Sequence, residues 1–143
     1  MITVDRVNDI VTVTDSRDYY DGKDTISNVE KLTFSDSSVD VLPLLNAAPN
    51  DISISANLIQ ENIAAGANIA KINSTDVDTG DSFTYSLVNG DGDSDNGAFS
   101  INADQLLIND STDFETKSSY SIRLQTSDQH GLTFEKQLSI SVQ

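Results

Sequence analysis

The sequence predicts an all-β chain: a seven-stranded Greek-key β-sandwich over residues 50–143, preceded by a small β-hairpin unit. Three observations carry that expectation. Apolar residues alternate with polar ones at a period of two, turn signals recur about every ten residues, and no segment carries a helical apolar stripe.

In the first unit, residues 1–43, Ile2, Val4 and Val7 precede an Asn8-Asp9 turn. Val11 and Val13 then alternate with Thr12 and Thr14, which is a hairpin signature. A polar stretch follows, with Asp21-Gly22 as a turn dipeptide, and Leu32 and Phe34 alternate with polar neighbours beyond it. Residues 44–49 read as a linker. Pro43 and Pro49 are the only prolines; each fixes φ and removes a backbone donor, which favours a stiff, extended connection.

Seven strand candidates fill residues 50–143. Ile52 and Ile54 alternate with serine, and Ile69 to Ile72 follow the Ala64-Ala65-Gly66 turn. Phe83, Tyr85 and Leu87 share a face; Phe99 with Ile101, and Leu106 to Ile108, make two short strands. Tyr120, Ile122 and Leu124 alternate with Ser121, Arg123 and Gln125. Phe134, Leu138, Ile140 and Val142 share the last inward face, with Lys136 the one exception. The expected core is Ile54, Ile69, Phe83, Tyr85, Leu87, Phe99, Ile101, Tyr120, Ile122, Leu124, Leu138, Ile140 and Val142.

Composition narrows the function. At 143 residues, 37% hydrophobic, the chain can bury one core but not a large enzyme interior. Its 23 acidic and 8 basic residues give a net charge of −15. Such a polyanion does not seek nucleic-acid phosphates, where affinity comes from Lys and Arg, and it is repelled by anionic lipid. Carboxylates in this number also repel one another in the compact state, and divalent cations are the natural neutraliser. With no cysteine, disulfides and thiolate chemistry are excluded. His130 is the only histidine and reads as a turn residue, so zinc sites and Ser-His-Asp chemistry lack material. There is no apolar run of membrane-spanning length and no signal-peptide pattern. The chain opens inside one patterned strand and closes on Val142-Gln143 in another, so it reads as a segment of something longer.

The acidic residues concentrate at turns. Calcium takes six to eight oxygens, a set that no single strand supplies but that clustered loops at one end of a sandwich can. Asp76 and Asp78 form an Asp-x-Asp pair able to aim both carboxylates at one point, with Gly80 for the turn. Asp113 and Glu115 form a second pair. At i and i+2 of one strand end they stand side by side rather than across a cleft, which excludes the facing carboxylates of glycoside hydrolysis. Asp91, Asp93 and Asp95 invite comparison with an EF-hand loop. The glycine there is Gly97, one position late, and the last ligand position is Asn102 rather than glutamate, so this is the weaker candidate.

In their order, Glu61-Asn62 with Gly66, Asp76-Val77-Asp78-Thr79-Gly80, Asp113-Phe114-Glu115 and Asp128-Gln129-His130-Gly131 resemble a cadherin repeat of the bacterial kind, over about residues 47–143. The resemblance implies calcium bound between successive domains. Glu61, Asp113 and Glu115 would serve a following domain from one end, and Asp76, Asp78 and Asp128 would face residues 1–49 at the other. Asp81 would replace a carbonyl ligand usual in that loop. The linker Asn46-Ala47-Ala48-Pro49 lacks the acidic residues typical of such junctions. Further upstream, Asp21 to Asp36 resembles segments that flank RTX (haemolysin-type) repeats in large bacterial proteins; the calcium-binding nonapeptides are absent and no site is carried over.

The expected role is a calcium-binding extender or adhesive module of a large extracellular, cell-surface or secreted bacterial protein. Its partners would be neighbouring domains of the same chain, and carbohydrate or another cell-surface protein beyond them. In isolation it would be a monomer, since the tryptophan that animal cadherins swap is absent. The alternative is a carbohydrate-binding module. Sugar binders display exposed aromatics, and only Tyr19 and Tyr20 read as loop aromatics here.

Overall fold

The computed structural model describes residues 46–143 throughout and, of residues 1–45, the backbone of five strands. The chain divides into two compact units, Met1–Asn46 and Ala47–Gln143. In the first, β1 (Ile2–Val4), β2 (Ile10–Thr14) and β3 (Lys23–Ser27) form an antiparallel sheet in that order. The β1–β2 pairing sets Thr3 opposite Thr12, as the Val/Thr alternation implies. β4 (Lys31–Thr33) and β5 (Ser38–Asp40) form a separate antiparallel pair. The Asn8-Asp9 and Asp21-Gly22 turns, Tyr19 and Tyr20 lie outside the described residues, as does the side-chain detail of the RTX-like segment.

The second unit is a sandwich of two four-stranded sheets. One runs β10 (Phe99–Asn102), β11 (Gln105–Ile108), β8 (Asn68–Thr75), β6 (Asp51–Ile54). The other runs β7 (Leu58–Ile59), β13 (Thr133–Val142), β12 (Ser119–Asp128), β9 (Phe83–Leu87). β7 has only two residues, pairs parallel with β13 and has no counterpart among the expected strands.

β12 shows how the pattern becomes a core. Ile122, Leu124, Thr126 and Asp128 all fall on its buried face, at the period of two that a strand imposes. The apolar part of that stripe packs with Ile52, Ala70, Ile72, Phe99, Leu106, Ile108 and Ile140. Emptying a position such as Leu124 to alanine costs about 2–5 kcal/mol by comparison with other cores. In β8 the outward Lys71 and Asn73 set the register, so Ala70 and Ile72 are buried while Ile69, expected inside, is only half-buried. On the edge strand β9, Tyr85 and Leu87 are half-buried and pack against the core, as do Ile54, Ile101, Tyr120 and Leu138 elsewhere, whereas Phe83 is half-buried without joining it.

Lys136, the exception on the β13 face, bridges the two sheets. Its Nζ donates to Asp51 Oδ1 at 2.6 Å and to the Ile52 carbonyl at 2.9 Å. That hydrogen bond is the main reason the Asp51 carboxyl lies below its ordinary range.

Two ends of the sandwich are thereby defined. Ser127 pairs with Thr133 and Ser119 with Ser141, so β12 runs from the Gln143 end to the Asp128 end. At about 3.3 Å per residue this ten-residue strand spans roughly 30 Å. The Ala47 side is called proximal below and the Gln143 side distal.

Candidate metal centres

At the proximal end the apolar stripe gives way to polar contacts. Ser74 donates to the buried Thr126 hydroxyl at 2.8 Å, from one sheet to the other. One residue past β8, Asp76 opens a turn: its Oδ1 accepts the Asp78 N–H at 3.0 Å. Gly80 closes the turn at φ +99°, a conformation that side chains rarely adopt. The loop thus folds back so that one carboxylate oxygen each of Asp76, Asp78 and Asp81 lies within 4.8 Å of the others. Asp78 Oδ2 accepts the Ala47 N–H at 2.8 Å, which ties the start of the unit to this loop. Asp81 Oδ1 accepts from Gln129 Nε2 at 3.0 Å.

Asp128 reaches the same end, opposite Phe83 in the β12–β9 ladder, but is not in the group of three. It is buried, and its Oδ1 accepts the N–H groups of His130 (2.8 Å) and Leu132 (2.9 Å), closing the turn through Gly131.

The second oxygens decide whether a cation fits. Asp76 Oδ2 and Asp81 Oδ2 are buried and have no hydrogen-bond partner. A buried, unsatisfied polar atom costs about 1–3 kcal/mol, and more when it carries charge. Each basic side chain among the described residues is paired elsewhere: Lys71 with Asp104, Lys117 with Asp95, Arg123 with Glu135 and Lys136 with Asp51. Two oxygens at calcium's usual bond length of about 2.4 Å can stand up to about 4.8 Å apart across the ion. Asp76, Asp78 and Asp81 therefore fit a hard, oxygen-seeking divalent cation, which would supply the charge that the orphaned oxygens lack.

At the distal end the chemistry differs. Thr112, almost fully buried, donates its hydroxyl to the Gln60 carbonyl at 2.8 Å, while its own carbonyl accepts the Asn62 N–H at 2.7 Å. These bonds staple the Glu61 loop to the Asp113 turn. The Glu61 N–H donates to the Gln143 carbonyl at 2.8 Å, and Asn62 takes φ +57° to turn away. One carboxylate oxygen each of Glu61, Asp113 and Glu115 falls within 4.8 Å of the others. Asp113 is already served by its own turn. Its Oδ2 accepts the Thr116 hydroxyl (2.7 Å), and its Oδ1 the N–H groups of Glu115 (3.0 Å) and Thr116 (3.3 Å). The Thr116 hydroxyl is the main cause of the Asp113 carboxyl lying below its ordinary range.

The third acidic run serves the fold. Asp95 is ion-paired with Lys117 and accepts the Ser121 N–H at 2.8 Å. Burial pushes the Asp95 carboxyl up, and those two partners together outweigh it and hold the carboxyl below its ordinary range. Asp93 Oδ2 accepts the Gly90 N–H, and the Asp91 carbonyl accepts from Arg123. Asp91, Asp93 and Asp95 do not form a carboxylate group of the kind seen at the two ends.

Thr112 and Gln129 stand inside the acidic motifs, but sequence reasoning gives neither a role. Thr112 immediately precedes the Asp-x-Glu pair, so its place was the available signal; nothing local marks Gln129 as the partner of Asp81.

The sandwich superposes on solved cadherin domains. Protocadherin Gamma B7 extracellular cadherin domains 1-4 match with a TM-score of 0.50 and 22% identity, over 64% of this chain and 24% of that one. Human Protocadherin-24 EC1-2 matches with a TM-score of 0.51 and 18% identity, over 66% and 44%. Mouse clustered PcdhgC3 EC1-3 matches with a TM-score of 0.50 and 21% identity, over 67% and 33%. The fold is cadherin-like. This chain spans less than half of each of those structures. No protein-family model and no curated protein matches it.

Proposed function

We propose that the cadherin-like sandwich is a calcium-binding structural module, an extender within a large secreted or cell-surface bacterial protein. Two carboxylate groups lie at opposite ends of one sandwich, and the proximal group holds two buried oxygens that no hydrogen-bond donor reaches. The second half of that statement carries the reading. Calcium at each end neutralises the carboxylates and stiffens the junction with the neighbouring domain, so that a string of such units becomes a rod. Asp76, Asp78 and Asp81 are the proximal ligands, with Asp128 bracing the adjoining turn. Glu61, Asp113 and Glu115 are a distal half-site awaiting ligands from a following domain. The extracellular setting follows from the metal, since calcium is abundant there, and from the resemblance to bacterial cadherin repeats. The upstream unit is the RTX-like neighbour.

Thermal unfolding of the 143-residue chain with calcium and with a chelator tests this. At a calcium concentration a hundred times Kd, linkage adds about 2.7 kcal/mol, or roughly 10–20 °C for a unit of this size. Identical curves in the two conditions overturn the proximal site. Calorimetric titration of this chain, and of one extended through the next domain, separates the ends: the longer chain should gain a site.

A further inference from the structure

We infer that the cleft between the β9 and β10 edges is a binding site for a neutral oligosaccharide. β11 pairs with β8 only from Asn68 to Lys71, with a register shift at Leu106/Leu107, whereas β8 continues to Thr75 against β6. The far half of β8 is therefore uncovered on the β11 side, where β9 of the other sheet stands opposite. The result is a cavity of about 490 Å³ lined by Phe83, Thr84, Tyr85, Ile101, Ala103 and Asp104. A second hollow, sharing Phe83, Tyr85 and Asp104, extends it to Lys71, Asn73 and Ser74.

The lining has the chemistry of sugar recognition. Phe83 and Tyr85 lie on one face of β9, about 6.6 Å apart along the strand, and Phe83 is not among the residues packed on the core. Tyr85 packs partly against the core and both residues are half-buried, so each presents only the part of its ring that lines the cleft to the C–H side of a sugar ring. Facing them is a polar rim fixed in place: the hairpin tip at Ala103, φ +55°, is held because the Ile72 N–H donates to the Asp104 carbonyl at 2.7 Å. Lys71 Nζ and Asp104 Oδ2 pair at 3.2 Å, and both side chains remain about half-exposed, at 61% and 45%. That pair and Asn73 give donors and acceptors for hydroxyls with no net local charge. Two aromatic residues beside a rim of placed polar groups, in a hollow of this volume, make a mixed lining suited to a ligand that is itself part apolar and part hydroxylated. The chain's net charge of −15 disfavours uronates and sulfated sugars and selects a neutral glycan. This site is independent of the calcium reading.

The test is a titration of the ¹⁵N-labelled chain with cellohexaose, laminarihexaose, mannohexaose and chitohexaose, and with an alginate hexamer. The expected result is that at least one neutral sugar moves the amides of residues 71–74, 83–85 and 101–104 while alginate moves none. Phe83→Ala should weaken that binding at least tenfold while its amide spectrum keeps the dispersion of the folded parent, and Asp104→Asn at least threefold. The assignment is overturned if no neutral sugar moves those amides, if alginate binds more tightly, or if the Phe83 variant binds like the parent. An extended peptide that moves the same amides when the sugars do not would also overturn it, in favour of strand addition at the β9 edge.

Discussion

The two ends of the sandwich carry similar carboxylate groups and treat them in opposite ways. At the distal end Asp113 is exposed, and three hydrogen bonds from its own turn satisfy it. At the proximal end Asp76 and Asp81 are drawn partly inside, and each keeps a buried oxygen with no partner. Solvent and turn amides balance the first group. The second carries an unfavourable desolvation cost that folding alone does not relieve. The number of acidic residues is thus a poor guide to metal demand; what distinguishes the ends is how many carboxylate oxygens are buried without a donor.

The strongest way to break that contrast is calcium itself. Asp81→Asn should abolish most of the 10–20 °C calcium shift expected from linkage, because one of the orphaned oxygens loses its charge. In chelator the same variant should melt at or above the parent temperature. Glu115→Gln, at the distal end, should leave the calcium shift of this chain within about 2 °C of the parent. A Glu115 variant that loses as much as the Asp81 variant would reverse the assignment of the two ends.

A smaller effect probes the distal staple. Thr112→Val removes the donor to the Gln60 carbonyl and should cost about 1–3 kcal/mol in chelator, read by urea unfolding. The calcium shift at the proximal end should survive. If the variant abolishes that shift as well, the two ends are coupled rather than independent.

The smallest effect is in pH. The Asp113 carboxyl in the folded chain lies below its ordinary value of 3.8, chiefly through the Thr116 hydroxyl. A depressed carboxyl contributes stability above its unfolded pKa and loses it as the pH falls through the folded value. Thr116→Val should therefore lower the chelator melting temperature slightly at pH 6. The difference from the parent should shrink as the pH drops below 3.8 and Asp113 is protonated in both states. A gap that stays constant to pH 2 would show that Thr116 acts through packing instead.

Much of the fold is readable in residue order. The inward face of β12 follows from Ile122 and Leu124 alternating with Arg123 and Gln125, and burial agrees. The β1–β2 hairpin follows from its Val/Thr pattern. Ile69 packs only at the margin of the core while Ala70 and Ile72 are buried, because two adjacent apolar residues, Ile69-Ala70, leave the register of β8 open in the sequence; only pairing with β6 and β11 settles it. Phe83 and Tyr85 look like core from alternation alone; on the edge strand β9 Tyr85 still packs against the core, Phe83 does not, and both line the cleft. Alternation reports which residues share a face, not whether another layer covers that face.

The acidic turns show the same division. Asp-x-Asp and Asp-x-Glu spacing, and an aspartate three residues before Gly131, mark local turns, since an aspartate side chain bonds backbone two residues on wherever the chain permits it. By itself, then, the sequence determined the strand period, the acidic turns and the absence of any cysteine or second histidine. The tertiary structure alone decided that Asp128 braces a turn outside the Asp76, Asp78 and Asp81 group, and that two carboxylate oxygens are left buried without donors. Burial and donor supply depend on strands distant in the chain, through the Asp128–Phe83 pairing, Gln129 and the Ala47 N–H, and no local spacing encodes them.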